Sequence, residues 1–405
     1  MSDARTNTMG RVEFITLCAM MFATIAFSID AMLPALPSIG AELSPDALNR
    51  AQLIVTSFVL GMGIGTAFTG PLSDAFGRKP VILAGGALYI IGAAVAWASS
   101  SLEWVFAARI AQGLGAAGPR IATMAVIRDF YSGREMAKLV SFVMIIFTLV
   151  PAFAPLLGAG IIALFGWRSI FVAFILFSLV SMVWMSVRLG ESLPVENRRP
   201  FRAGLLWVAI KELFAHPAVR MSMLVQTLIF GMLFSMLSSV QQIFDISFQR
   251  GAEFPFWFGG IALLSGTAGF LNAALVMHIG MRRLVTVSLS VQVALSSLML
   301  VLWLMQPPQS IQFGAFMVWQ FSVFFMMGMT IGNLNAIAME PMGHIAGMAA
   351  SVMGAVSTVL AAVIAAPVGL AFDGTPLPLI IGVLVMAIVA AGLMLSLQRT
   401  EEQPV

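Results

Sequence analysis

Two charges stand inside stretches that are otherwise almost wholly apolar. Asp30 closes a run that begins near Phe14, and Arg109 lies within Ala108-Arg109-Ile110-Ala111-Gln112-Gly113-Leu114-Gly115-Ala116-Ala117. A charge at the centre of a bilayer costs about 2.5–3.5 kcal/mol or more, so both side chains are expected to face a protein interior. Burial disfavours the charged form of an acid and a nearby cation favours it. An acid held between those two effects can take up and release a proton reversibly. The chemistry expected of the pair is proton carriage, with Asp30 as carrier and Arg109 as the cation that tunes it. Each sits a few residues in from the same boundary, on helices of opposite direction, so their depths match.

No other chemistry is written in the chain. His216, His278 and His344 are scattered, and no Ser-His-acid set, metal cluster or phosphate loop accompanies them. Glu340 and His344 are four apart, but Pro341 breaks a helix there, and no third ligand is near. No enzyme activity, cofactor or metal is expected. The in-span polar residues Gln52, Gln112, Gln226, Asn272 and Asn333 are candidates for lining a substrate cavity. With 29 Met and 31 Phe in the chain, such a cavity is expected to be apolar and adaptable, because Met-rich surfaces repack around varied ligands.

The elements that position these residues follow from composition. The chain is 60% hydrophobic and 10% charged, against about 25% charged residues in soluble domains. It has too little polar surface for a water-exposed globule, so its surroundings are a lipid bilayer. The net charge of +3 is small and dispersed, which argues against nucleic acid as a partner. Cys18 is alone, so no disulfide framework exists. A spanning helix needs roughly 20 apolar residues. Twelve such runs occur, near 13–35, 51–70, 80–99, 103–127, 137–163, 168–188, 219–243, 255–277, 284–305, 312–337, 346–371 and 376–397. They are too long and too uniform for β-barrel strands. The first run has no Ala-x-Ala-like cleavage site and is expected to be a retained helix.

Basic residues orient the runs. With both termini cytoplasmic, only Arg50, Arg168 and Arg250 fall outside and Arg109 and Arg120 fall within the fourth run, leaving sixteen of the 21 Lys and Arg residues inside. Residues 189–217 form the one long polar connection and divide residues 1–188 from 218–405 as two six-helix bundles. Trp207 to Phe214 within it has the makings of a short amphipathic helix. Gly280-Met281-Arg282-Arg283 after the eighth run echoes Gly77-Arg78-Lys79 after the second. Internal repeats of this kind place a substrate site near mid-membrane between the halves.

The stretch Gly70-Pro71-Leu72-Ser73-Asp74-Ala75-Phe76-Gly77-Arg78-Lys79 is expected to form a tight cytoplasmic turn between the second and third helices, with Asp74 capping or pairing a helix end. It resembles the Gly-x-Leu-x-Asp-x-x-Gly-Arg-Lys signature of the major facilitator superfamily. Arg109-Ile110-Ala111-Gln112-Gly113 resembles the fourth-helix signature of that family, whose arginine is implicated in proton coupling. Asp30 followed by Leu33-Pro34 and Leu36-Pro37 resembles the first-helix signature of its drug:proton antiporters. Pro155 and Gly158 stand in a pattern resembling the exporters' Gly-Pro-x-x-Gly-Gly, with Ala154 and Ala159 where that pattern has glycines; they are read as hinge and packing residues. Gly166-Trp167-Arg168 also resembles the family. Arg128-Asp129 and Glu340-Pro341 resemble the bicyclomycin/chloramphenicol-resistance branch.

The resemblance implies an all-α integral membrane fold of twelve transmembrane helices in two six-helix halves. It implies a monomeric, proton-coupled exporter of small amphipathic or apolar compounds, working by alternating access in a bacterial inner membrane. Export of an endogenous metabolite is the alternative. It also implies that Gly70, Asp74, Gly77, Arg78 and Lys79 form a conformational lock between the halves.

Overall fold

The structure is a computed structural model and describes residues 9–201 and 203–402. Arg5 and Arg202, two of the basic residues used to orient the chain, lie outside the described residues. The first six spans are built from α1 (Arg11–Asp30) continued by α2 (Leu36–Leu43), then α3 (Leu53–Phe76), α4 (Arg78–Ala98), α5 (Leu102–Phe130), α6 (Gly133–Phe165) and α7 (Ser169–Arg188). A linker carries α8 (Ala203–Ala215), which includes the amphipathic segment expected from the sequence. The last six spans are α9 (Pro217–Gln242), α10 (Phe254–Ser265) continued by α11 (Ala268–Ile279), α12 (Met281–Leu304), α13 (Gln309–Met339), α14 (Ala346–Leu370) and α15 (Leu377–Glu402).

Eleven of these segments are long and apolar enough to cross a membrane. The twelfth, α5, is set apart by its charges: Glu103, Arg109, Arg120, Arg128 and Asp129 lie along it. Its 29 residues make a rod of about 43 Å, and its apolar and small residues are buried against α3 and α4. Neighbouring protein, in place of lipid, shields the polar groups of this helix. The fold is all-α, with twelve spans in two sets of six.

Small residues set the close contacts. A Cβ at Gly61 of α3 would collide with the Ile110 carbonyl of α5, and a Cβ at Gly113 of α5 with the Phe58 carbonyl of α3. Gly85 of α4 and Gly115 of α5 interlock in the same way. Backbone approaches of this kind drive helix association in lipid, where burying apolar side chains gains little.

Three boundaries differ from the sequence expectation. The first run is not one helix: α1 stops at Asp30, and a 3₁₀ turn over Leu33–Ala35 precedes α2. Pro34 and Pro37 cannot donate the backbone hydrogen bonds that would carry α1 onward. The eighth run is likewise interrupted at Gly266 and Thr267. The stretch from Gly70 to Lys79 is helical except at Gly77, whose φ of +103° makes the whole turn between α3 and α4. A single glycine suffices because it alone adopts that backbone without a Cβ penalty.

Candidate functional site

Arg109 is fully buried, at 0% exposure. Its Nη1 donates to Gln112 Oε1 at 2.7 Å, its Nη2 to the Ser28 carbonyl at 3.0 Å and its Nε to the Ile54 carbonyl at 3.4 Å. The guanidinium carbon lies 4.3 Å from the centre of the Phe58 ring, within cation–π range. The side chain therefore ties α5 to α1 and α3 and has an acceptor on each of its three nitrogens. Ser28 also shares a hydrogen bond with Tyr89 of α4, between their hydroxyls. Four helices meet on this cluster.

Asp30 is buried at 5% exposure, and its carboxyl has no hydrogen-bond or ion-pair partner among the described residues. The direct pairing with Arg109 expected from matched depths is absent. Arg109 instead holds the carbonyl two residues earlier on the same helix. Sequence placed the two charges at one level, but Arg109 takes backbone and amide acceptors in place of the carboxylate. Gly158 of α6 packs against the Ala31 backbone so closely that a Cβ there would strike the Ala31 carbonyl. Pro155, also buried in α6, lies one turn before it. The expected packing pair thus clasps the break that carries Asp30.

At the end of the bundle where the linker runs, Arg78 is nearly buried between Asp74 Oδ1 at 2.5 Å and Asp129 Oδ2 at 3.1 Å. Its Nη1 also donates to Ser73 Oγ at 2.8 Å. The linker completes the cluster. Glu191 accepts the backbone N–H groups of Arg78 and Lys79 at 2.9 and 3.1 Å, which places a carboxylate on the unsatisfied donors of the α4 N-terminus. Lys79 Nζ donates to the Ser186 and Leu189 carbonyls at 2.7 and 2.8 Å. The Arg199 N–H donates to the Asp74 carbonyl at 3.0 Å. Asp74 sits inside α3 and does not cap a helix. All these contacts stay within the first six spans and the linker. Gly70, one turn earlier, faces Ser351 of α14 across the halves. Asp129, Glu191 and Ser192, which donates to Asp129 at 2.8 Å, are members of the cluster that sequence reasoning missed.

The five candidate cavity residues do not gather in one place. Gln52 is buried at the end opposite the linker, hydrogen-bonded to Gln242 of α9. Gln242 donates to Asn49 Oδ1 at 2.8 Å, and Asn49 Nδ2 donates to the Phe372 carbonyl at 2.6 Å. This network joins the two halves at the opposite end. Ser351 Oγ donates to the Thr66 carbonyl at 2.6 Å and is the cross-half hydrogen bond nearest the linker end among the described residues. Gln112 is the partner of Arg109. Gln226 is buried in α9 with Oε1 unpartnered. Asn333 donates to Asn272 Oδ1 at 2.7 Å, joining α13 to α11. His344 pairs with Glu212 of the linker helix at 2.7 Å, and Glu340 takes no part in that pair.

A family model described as Major Facilitator Superfamily matches residues 16–366. The chain belongs to the major facilitator superfamily. It is 28% identical to a bicyclomycin resistance protein homolog of Haemophilus influenzae, over 86% of this chain and 87% of that one. It is 26% identical to an uncharacterised MFS-type transporter of Bacillus subtilis, over 89% of each. A chloramphenicol resistance protein of Pseudomonas aeruginosa is 35% identical over 45% of this chain and 42% of its own. Among solved structures, a D-xylose-proton symporter superposes with a TM-score of 0.76 at 15% identity, covering 95% of this chain and 97% of that one. That likeness establishes the shared fold. The protein is thus a multi-pass membrane transporter, not an enzyme.

Proposed function

We propose that the protein is a proton-coupled exporter of small amphipathic or apolar compounds in the bacterial inner membrane, working by alternating access as a monomer. The observation that carries the reading is Asp30: a buried carboxyl at a helix break, without a partner among the described residues. This carboxyl is proposed to take up and release the exchanged proton. Arg109 holds the carbonyl two residues before it and is proposed to tune the carboxyl from there. Relatives named for bicyclomycin and chloramphenicol resistance support export of such compounds. The two halves are residues 1–188 and 218–405, joined by 189–217. Drug-induced proton release from the purified protein tests the coupling.

The linker end is proposed to be cytoplasmic, since basic residues collect there. In a Cys18→Ala background, a single cysteine at Thr375 is expected to react with an impermeant thiol reagent from outside intact cells, and one at Asn197 is not. The reverse pattern would refute the orientation.

Asn49, Gln52 and Gln242 join the halves at the opposite end, which supports reading the state described as one that opens toward the linker. Gly70, Asp74, Gly77, Arg78 and Lys79 are proposed to lock the other state, in which the linker ends of the two halves come together. Asp74→Asn weakens the hold on Arg78 and is expected to lower transport several-fold with normal amounts of folded protein in the membrane. Unchanged initial rates would sink the lock.

A further inference from the structure

Arg120 is the second arginine of α5, and the structure treats it differently from the first. Arg109 has three acceptors and an aromatic face. Arg120 is only partly buried and has no hydrogen bond or ion pair among the described residues. It lies ten residues from the end of α5 at Phe130, within hydrocarbon depth at 1.5 Å per residue.

Its direction follows from the helix. Eleven residues after Arg109 is about three turns, so the two arginines share one face, with Arg120 roughly 16 Å nearer the linker end. On neighbouring sides, Thr123 donates to Met21 of α1 and Gly113 packs on α3. Trp104 and Ala107, which are exposed to the membrane, are on the opposite side. Arg120 therefore points between α1 and α3, away from the membrane-facing side of α5, where it stays partly exposed.

The acids on the surrounding helices are engaged elsewhere. Glu13 is held by Arg188, Asp74 and Asp129 by Arg78, Glu103 by Arg50 and Glu135 by Arg11. Asp30 lies beyond Arg109 toward the opposite end. A cation at this depth without a counter-charge is costly, and what remains to supply one is the cargo.

We infer that Arg120 binds a carboxylate on the transported compound, so that the cargo is an amphiphile with an apolar body and an anionic end. Arginine suits this role because its planar fork pairs bidentately with carboxylate and stays charged. The inference rests on the transporter reading above and specifies the polar end of its substrate.

The test uses the purified full chain and three probes: 2-naphthoate, its neutral methyl ester and the cation tetraphenylphosphonium. Isothermal titration is expected to show naphthoate binding at least tenfold tighter than the ester. Arg120→Gln and Arg120→Met should remove that preference and leave ester binding within twofold. Arg120→Lys should keep part of it, and Arg220→Gln, which alters a cation at the exposed start of α9, should keep all of it. Equal binding of naphthoate and ester by the unmodified protein overturns the assignment. So does a preference that survives the Arg120 substitutions. If the substituted chains do not fold, the comparison of probes on the unmodified chain decides. Proteoliposomes under a pH gradient separate the two levels. Movement of none of the three probes counts against proton-driven transport itself, and movement without preference for the anion counts against Arg120 alone.

Discussion

Asp30→Asn is expected to abolish uphill, proton-driven export while leaving folded protein in the membrane. Asparagine keeps the size of the side chain and loses only the charge change. The site accepts it without a clash, because the carboxyl it replaces has no partner to lose among the described residues. Arg109 keeps its bonds to the Ser28 and Ile54 carbonyls and to Gln112, so the four-helix cluster stays intact. In the proposed cycle the proton and the cargo bind with different affinity to the two states, and exchange follows from that difference alone. Without a proton to exchange, the cargo equilibrates and no longer accumulates against its gradient. Uphill transport should fall to background while passive exchange of labelled cargo persists. Proton release on adding cargo to the purified protein should drop by about one per molecule. If Asp30→Asn releases as many protons as the unmodified protein, the carrier is another acid. Glu13 is a poor substitute because Arg188 and Trp184 hold it at 2.7 and 3.1 Å; Asp245, exposed in the π-helical turn Ile243–Ser247 that follows α9, would then be examined.

The spans were legible because hydropathy reports burial in lipid directly, and eleven of twelve carry that signal. The twelfth was read as an apolar run near 103–127, and the small residues after Arg109 marked it as a helix that packs tightly. What the sequence did not convey was direction. Asp30 and Arg109 were placed at one depth, yet Arg109 holds the Ser28 carbonyl and not the carboxyl. Gln52 and Asn333 were read as cavity residues because an amide in a span is unusual. Their partners lie 190 and 61 residues away, and nothing local says that an amide is already satisfied. The charged turn was recognised from its own residues, but its counter-charges Asp129 and Glu191 are 51 and 113 residues from Arg78. Those distances are set by how α5 and the linker return to the same end of the bundle. Arg120, by contrast, was visible in the sequence as an in-span charge, and only the structure reveals that nothing among the described residues answers it.

Gly113→Ala tests how far the site depends on the approach of α3 and α5. The two helices exchange contacts reciprocally: Gly61 lies on the Ile110 carbonyl and Gly113 on the Phe58 carbonyl. The atom in the way is backbone in both cases, so no rotamer change relieves a methyl group. Overpacking of this kind costs about 1–3 kcal/mol when neighbours can shift, and a helix backbone shifts only as a unit. The displacement would carry Ile54 and Phe58 away from Arg109, which lies one turn before Gly113. Arg109 would lose its 3.4 Å acceptor and its aromatic face but keep Ser28 and Gln112. Thermal unfolding in detergent is expected to fall by several degrees and transport by tenfold or more. Gly160→Ala, at a position with open space around it, should change neither by a measurable amount. If Gly113→Ala matched Gly160→Ala in both measurements, the α3–α5 contact would not be what holds Arg109 in place.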